Sequence, residues 1–237
     1  MPAAQTKLAK YIANLGYGSR REVMAMLRDQ RVTRRDGRIL SEGDVFQHDD
    51  LLIDGKPADP PPGSILMMHK PVGYICSTKG AHHLVYDLLP ARFLARSPVM
   101  APIGRLDLDS SGLLLLTDDG KVNHRITSPR KHLPKVYDVH LAEDLTGKEA
   151  RVLASGTMLL ESDVVPLKPV ELEVISPRHV RVTLTEGRYH QVRRMFAAFG
   201  NHVTALHRTA IGNLALGDLR AGEWRVLKAA ERKLLLG

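Results

Sequence analysis

Residues 104–120 read Gly-Arg-Leu-Asp-Leu-Asp-Ser-Ser-Gly-Leu-Leu-Leu-Leu-Thr-Asp-Asp-Gly. Two carboxylates, Asp107 and Asp109, sit in a polar loop punctuated by Gly104 and Gly112, which runs straight into Leu113–Leu116 and a turn. A short apolar run bounded by turn signals reads as a buried strand, so an acid is held at its lip. In an extended backbone Arg105 and Asp107, two positions apart, start on the same side. Three readings are open: a catalytic acid, a turn with capping aspartates, or a calcium loop. For the last, Asp107, Asp109, Ser111, Gly112 and Asp118 fall at the first, third, fifth, sixth and twelfth positions. Against calcium, Pro98 and Pro102 stand where the entering helix belongs, and the leucines fill positions that need oxygen ligands.

Outward from this loop, Ile65–Met68, Tyr74–Cys76, Val136–Leu141, Val170–Ile175 and Val180–Leu184 also read as strands. Helical spacing marks Lys121–Ile126, Thr146–Ala154 and Gln191–Phe199. Strands and helices mix without strict alternation, which predicts an α+β fold: a mixed, largely antiparallel β-sheet with flanking helices. The 237 residues suffice for one fair-sized domain and a small one. Asp59-Pro60-Pro61-Pro62-Gly63 is too stiff and too poor in amide donors to continue a sheet, so 60–63 is expected to link a unit at 1–59 to one at 64–237.

The net charge of +8 points to a polyanionic partner. Between residues 7 and 38 stand Lys7, Lys10, Arg20, Arg21, Arg28, Arg31, Arg34, Arg35 and Arg38 against three acids; residues 39–59 carry six acids and one lysine. In the basic part, Leu8, Ile12 and Leu15 have helical spacing, Gly16 and Gly18 supply a stop, and Ser19 can cap a second helix carrying Val23, Met24 and Leu27. Such a run is either a solvated face or a nucleic-acid surface. No apolar stretch approaches the ~20 residues of a membrane span, and no secretory leader is recognisable. The single cysteine, Cys76, excludes an internal disulfide and a multi-cysteine zinc site, and fits a reducing cytoplasm.

Two further stretches hold candidate chemistry. In Glu186-Gly187-Arg188-Tyr189-His190-Gln191-Val192-Arg193-Arg194-Met195 a strand ends in a glycine turn and a helix begins. Val192, Met195, Phe196 and Phe199 form its apolar stripe; Arg193 lies on the flank, about 100° from Val192, and Arg194 points nearly away toward solvent or phosphate. In Lys135-Val136-Tyr137, strand alternation places Lys135 and Tyr137 on one face. There is no phosphate-cradling G-x-x-x-x-G-K-[ST] loop, no G-x-G-x-x-G after a strand and no H-E-x-x-H. Chemistry is thus expected to run on side chains alone, without cofactor or metal.

Gly104-Arg105-Leu106-Asp107 with Ser110-Ser111-Gly112, Lys135-Val136-Tyr137 and Gly187–Met195 together resemble the pseudouridine synthases of the RsuA family. The likeness extends through His69–Ser77, His124–Arg130, Gly200–Val203 and Gly222–Arg225, covering residues 64–230. The amino-terminal helices resemble the α-L RNA-binding domain of a small-subunit ribosomal protein, although Thr6-Lys7-Leu8-Ala9-Lys10 departs from its usual opening. Thr127–Arg130 and Arg188–Gln191 look most like the enzymes acting on 16S rRNA. The resemblance implies uridine-to-pseudouridine isomerisation with Asp107 as the essential carboxylate, either nucleophile or base, and Tyr137 beneath the uracil, its hydroxyl assisting proton removal from C5.

A carboxylate taken into a base-sized pocket loses hydration, so a guanidinium is expected beside it, and Arg193 is the candidate. Substrate contacts are expected from Arg105, Lys135, Arg188, Gln191 and Arg194, and RNA docking from Lys7, Lys10, Arg20, Arg21, Arg28, Arg31, Arg34 and Arg35. The expected partner is 16S rRNA in a partly assembled small subunit, met by a monomer. Alternatives are a synthase acting on 23S rRNA, a non-catalytic rRNA-binding assembly protein, and a hydrolase using Asp107 with Asp109.

Overall fold

A computed structural model describes residues 7–128 and 133–236. Thr6, Pro129 and Arg130, named in the motifs above, lie outside the described residues.

The chain opens with α1 (Leu8–Asn14) and α2 (Arg20–Arg28), followed by a small antiparallel sheet of β1 (Val32–Arg34), β2 (Leu51–Ile53) and β3 (Lys56–Pro57). Ser19 caps α2 in a reciprocal box with Glu22: the Glu22 amide donates to Ser19 Oγ (3.3 Å) and the Ser19 amide to Glu22 Oε2 (2.6 Å). Val23, Met26 and Leu27 are its buried residues, so Met26 and not Met24 completes the inward face. These elements share a core with Leu8, Ile12, Val32, Leu40, Leu51 and Ile53. They are fastened to the rest of the chain: the Ser97 amide donates to Asn14 O (2.9 Å), and Arg92 Nη2 to Asp59 Oδ1 (2.7 Å). The Pro60–Gly63 segment is pinned as well. Asp118 accepts from the Gly63 amide (2.7 Å) and pairs with fully buried Arg96 (2.7 Å), whose guanidinium also donates to Pro60 O (3.0 Å).

The larger part contains β4 (Ile65–Lys70), a parallel pair of β5 (Tyr74–Ile75) and β6 (His83–Leu84), β7 (Ala101–Ile103), β8 (Ser110–Thr117) and α3 (Gly120–Thr127). There follow β9 (Lys135–Leu141), α4 (Glu149–Ala154), β10 (Glu171–Ser176), β11 (His179–Leu184), α5 (Gln191–Ala197), β12 (Val203–Ile211), β13 (Leu214–Ala215), β14 (Trp224–Val226) and α6 (Ala229–Leu236). One sheet has the order β10-β11-β9-β12-β8-β4-β14, with β13 on β12 and β7 on β8; every pairing in it is antiparallel except β12 with β8.

The leucine run explains itself in this sheet. Leu113 and Leu115 enter one buried cluster while Leu114 and Leu116 enter another, because β8 is covered on both faces. Residues 110–117 are therefore strand, and no calcium loop forms over 107–118. The strand expected at Tyr74–Cys76 is shorter, Thr146–Lys148 precede α4 with the Thr146 amide donating to Glu149 Oε1 (2.8 Å), and α5 stops at Ala197. The sequence patterns did not reveal β12, although it lies at the sheet's centre. Its alternation is broken by polar side chains and by register shifts at Val203/Ala205 and Arg208/Ala210. Among the described residues, no helix is long and apolar enough to cross a membrane.

Candidate active site

The segment Gly104–Asp109 joins β7 to β8, and its main chain is fastened at several points. Gly104 turns it with φ +71°. The Leu106 amide reaches Cys76 Sγ (3.5 Å), the Gly73 amide donates to Leu108 O (2.7 Å), and the Ser110 amide donates to Asp107 O (3.1 Å). Lys70 supplies the strongest tie. Its side chain is fully buried, and its ammonium donates to Asp107 O (3.0 Å), Ser110 O (2.6 Å) and Pro71 O (3.0 Å). Burial pushes the Lys70 ammonium below its usual pKa. The His69–Ser77 stretch thus acts as the strap that shapes the Asp107 loop, a role its composition did not announce.

The loop forms one wall of a cleft of about 410 Å³ that also receives Arg105, Asp107, Lys135, Tyr137, Arg188, His190, Gln191 and Arg208. Apolar side chains of Ile103, Ile126, Leu184, Val192, Leu206 and Ile211 complete it. Asp107 and Tyr137, thirty residues apart in the chain, face the same space, as do Arg105 and Lys135. The mixture of apolar wall, the phenol rings of Tyr137 and Tyr189 and several fixed polar groups is that of a site for a flat, partly polar ring.

The side chain that approaches the Asp107 carboxylate is His190, Nε2 to Oδ1 3.4 Å. His190 precedes α5 in the left-handed region, φ +46°, and stacks on Tyr189 with ring centroids 3.9 Å apart. Arg193, expected beside Asp107, pairs instead with Asp109 (2.9 Å) and donates to Val203 O (3.0 Å). Arg194 differs from the helical-wheel expectation too. Its side chain is 25% exposed against 22% for Arg193, because it folds back onto Asp163 (2.7 Å). Asp163 also takes Arg188 (2.8 Å), which donates to Val165 O and Pro166 O (2.6 Å each). Gln191 is buried as a brace, accepting from the Arg188 amide (2.9 Å) and donating to Glu186 (3.1 Å).

Sequence reasoning missed three residues here: Lys70, His190 and Arg208. The first two lie inside quoted motifs without an assigned role, and Arg208 sits on the unrecognised strand. In β12 it stands opposite Tyr137 of β9 on one side and Gly112 of β8 on the other. Only glycine fits at 112: a Cβ there would lie 2.3 Å from Arg208 O.

In the amino-terminal part, Lys7, Lys10, Arg20, Arg21 and Arg28 are exposed. The other expected docking residues are engaged: Arg31 with Asp54 (2.7 Å), Arg34 with Asp50 (3.5 Å), and Arg35 with Asp49 O (2.7 Å).

The Asp107 carboxylate and the Tyr137 ring share one cleft over the central strands of the sheet, an arrangement suited to an enzyme acting on a flat ring. Comparison with known proteins makes this specific. A family model described as RNA pseudouridylate synthase matches residues 64–198. The chain is 42% identical over 209 residues to "Ribosomal small subunit pseudouridine synthase A" of Escherichia coli (strain K12), covering 85% of this chain and 87% of that one. It is 40% identical over 208 residues to the protein of the same name from Yersinia pestis, at 85% and 86% coverage. A crystal structure of a pseudouridylate synthase superposes with TM-score 0.69 at 36% identity, covering 98% of this chain and 100% of that one. The chain belongs to the RNA pseudouridylate synthase family, on the RsuA-like branch.

Proposed function

We propose that the chain converts a uridine of small-subunit 16S rRNA to pseudouridine. The observation that carries this reading is Asp107 and Tyr137 in one base-sized cleft, within the part of the chain that matches the family. The target base leaves its stack at a cost of a few kcal/mol and enters the cleft. With Asp107 acting as nucleophile or base, the bond from uracil N1 to ribose C1′ breaks, the base turns, and C5 joins C1′. Net, one proton leaves C5 and one reaches N1.

Tyr137 offers a flat face to the ring and a hydroxyl for the C5 proton. Arg105, exposed at the mouth, faces the RNA the base has left. Lys135 binds on the floor, Gln191 braces the wall beside Arg188, and Arg188 and Arg194 meet the RNA backbone as Asp163 yields them. Arg193 acts through Asp109, holding the loop that carries Asp107. Residues 1–59 form an α-L type RNA-binding domain ahead of the catalytic unit at 64–237, docking through the exposed cations of α1 and α2. The substrate is rRNA in a partly assembled small subunit in the cytoplasm, met by a monomer.

Pseudouridine mapping of 16S and 23S rRNA from cells lacking the protein tests this. One 16S position is expected to lose the modification and to regain it from a wild-type plasmid but not from Asp107→Asn. Restoration by Asp107→Asn, or a missing position in 23S rRNA alone, refutes the assignment.

A further inference from the structure

Three guanidiniums have a buried nitrogen without a partner among the described residues: Arg96 Nη1, Arg193 Nε and Arg208 Nη2. Two of these side chains hold a carboxylate, Asp118 for Arg96 (2.7 Å) and Asp109 for Arg193 (2.9 Å). Arg208 holds none. It is 3% exposed, donates from Nε to Leu113 O (2.7 Å), and lines the cleft that contains Asp107. A guanidinium stays charged at any physiological pH, so a buried one without a counter-ion is a charge waiting for a partner.

Its place says what that partner is. Arg208 and Tyr137 are directly opposed across β12 and β9, hence side by side on one face of the sheet. Leu184, Leu206 and Ile211 line the same space, and apolar walls suit a base better than a phosphate. The ammonium of Lys135, half-buried on the same face, makes no hydrogen bond or ion pair with a described residue, so the floor carries two cations and the rim the acid.

Resting on the assignment above, we propose that Arg208 is a catalytic residue that donates to a carbonyl oxygen of the everted uracil and stabilises the uracil anion. When the C1′–N1 bond breaks, its electron pair leaves with N1, and the negative charge spreads from N1 onto the ring carbonyl oxygens. It is discharged when the C5–C1′ bond forms, C5 gives up its proton and N1 takes one. A fixed donor aimed at an oxygen that gains charge in the transition state serves the reaction more than the binding.

The test uses the full chain and short synthetic RNAs carrying the mapped uridine as uridine, 2-thiouridine or 4-thiouridine, sulfur being the weaker acceptor. Arg208→Met is expected to lower the single-turnover rate about 100-fold, the cost of one removed transition-state donor, while RNA affinity and its salt slope stay unchanged. Wild-type enzyme is expected to lose about tenfold on one of the two thio-substituted RNAs, as for one weakened charge-assisted hydrogen bond, and Arg208→Met to lose nothing further. Equal thio effects in wild type and variant at both positions overturn the proposal, and so does a reduced salt slope, which marks a phosphate contact. Should Arg208→Met fail to fold, Arg208→Lys serves: a diminished thio preference supports the donor role and an unchanged one overturns it. Wild-type enzyme that forms no pseudouridine in the uridine RNA defeats the functional assignment itself, a separately readable result.

Discussion

Replacing Lys70 by methionine keeps an unbranched apolar stem one atom shorter and removes the donor that ties the Asp107 loop to β4. The ammonium serves three carbonyls, those of Asp107, Ser110 and Pro71. Stranding a buried acceptor costs about 1–3 kcal/mol. That cost applies in full to Ser110 O, whose bond is buried, and in part to the other two. Against it, the variant no longer buries a charge, which returns a portion. The net loss is about 2–4 kcal/mol, or roughly 5–15 °C in Tm for a chain of this size. Activity suffers separately. A catalytic group displaced by about 1 Å loses on the order of 100-fold in rate, and the Asp107 carbonyl is one of the three freed. Thermal unfolding and single-turnover pseudouridine formation, the latter well below both transitions, read the two effects. A Tm within about 2 °C of wild type together with a rate within about threefold would show that Lys70 does not hold the loop.

Gly112→Ala forces a Cβ to within 2.3 Å of Arg208 O and 2.6 Å of Arg208 N at φ +108°, where the neighbour is backbone and cannot step aside. Overpacking and the left-handed strain each cost about 1–3 kcal/mol, so urea unfolding should show a loss of about 3–5 kcal/mol; a loss below about 1 kcal/mol contradicts the close approach. Glu231 makes a two-pronged pair with Arg225 (2.6 and 2.7 Å), which holds its carboxyl at about 2 against an ordinary 4.5. Because the folded value lies below the unfolded one, this stabilisation is present above pH 4.5 and fades as pH falls toward 2. Glu231→Gln should therefore cost about 1 kcal/mol near neutrality, solvent around the pair keeping the figure small, and the gap to wild type should close in acid; a gap independent of pH refutes the pairing. Converting Lys7, Lys10, Arg20, Arg21 and Arg28 together to glutamine should flatten the slope of log affinity against log salt for rRNA by up to roughly 3.5–4.5, at about 0.7–0.9 per phosphate contact. An unchanged slope makes the two helices a spacer.

What was legible in the sequence is what depends on neighbours along the chain. The leucine run declared a strand, Ser19 and Glu22 declared a helix start, and the two-residue step from Lys135 to Tyr137 correctly put both on the cleft face. What was hidden depends on distant segments. Lys70 acquires its function from carbonyls 37 and 40 positions away. Arg208 lies on a strand whose period is interrupted by register shifts, so no alternation pointed to it. Arg194 looked solvent-facing on a wheel because the wheel contains no Asp163, a residue of a loop 31 positions earlier.

The exchange of partners between Asp107 and Asp109 supports the role proposed for Asp107. Both carboxylates lie within reach of α5, and azimuth alone favoured Arg193 for the first. The turn closed by the Ser110 amide on Asp107 O, with Lys70 behind it, instead brings Asp107 to the cleft with its side chain 34% exposed and leaves Asp109 outside at 63%. Arg193, tied also to Val203 O, takes the outer acid. A guanidinium bound to Asp107 would have to be dislodged from a strong charge-assisted pair before a nucleotide could approach. An imidazole at 3.4 Å is a weaker occupant, and its ring, stacked on the 71% exposed Tyr189, stands at the mouth where RNA arrives. Spending the strong ion pair on Asp109 thus fixes the loop, and leaving Asp107 to His190 keeps the proposed catalytic acid open to a base.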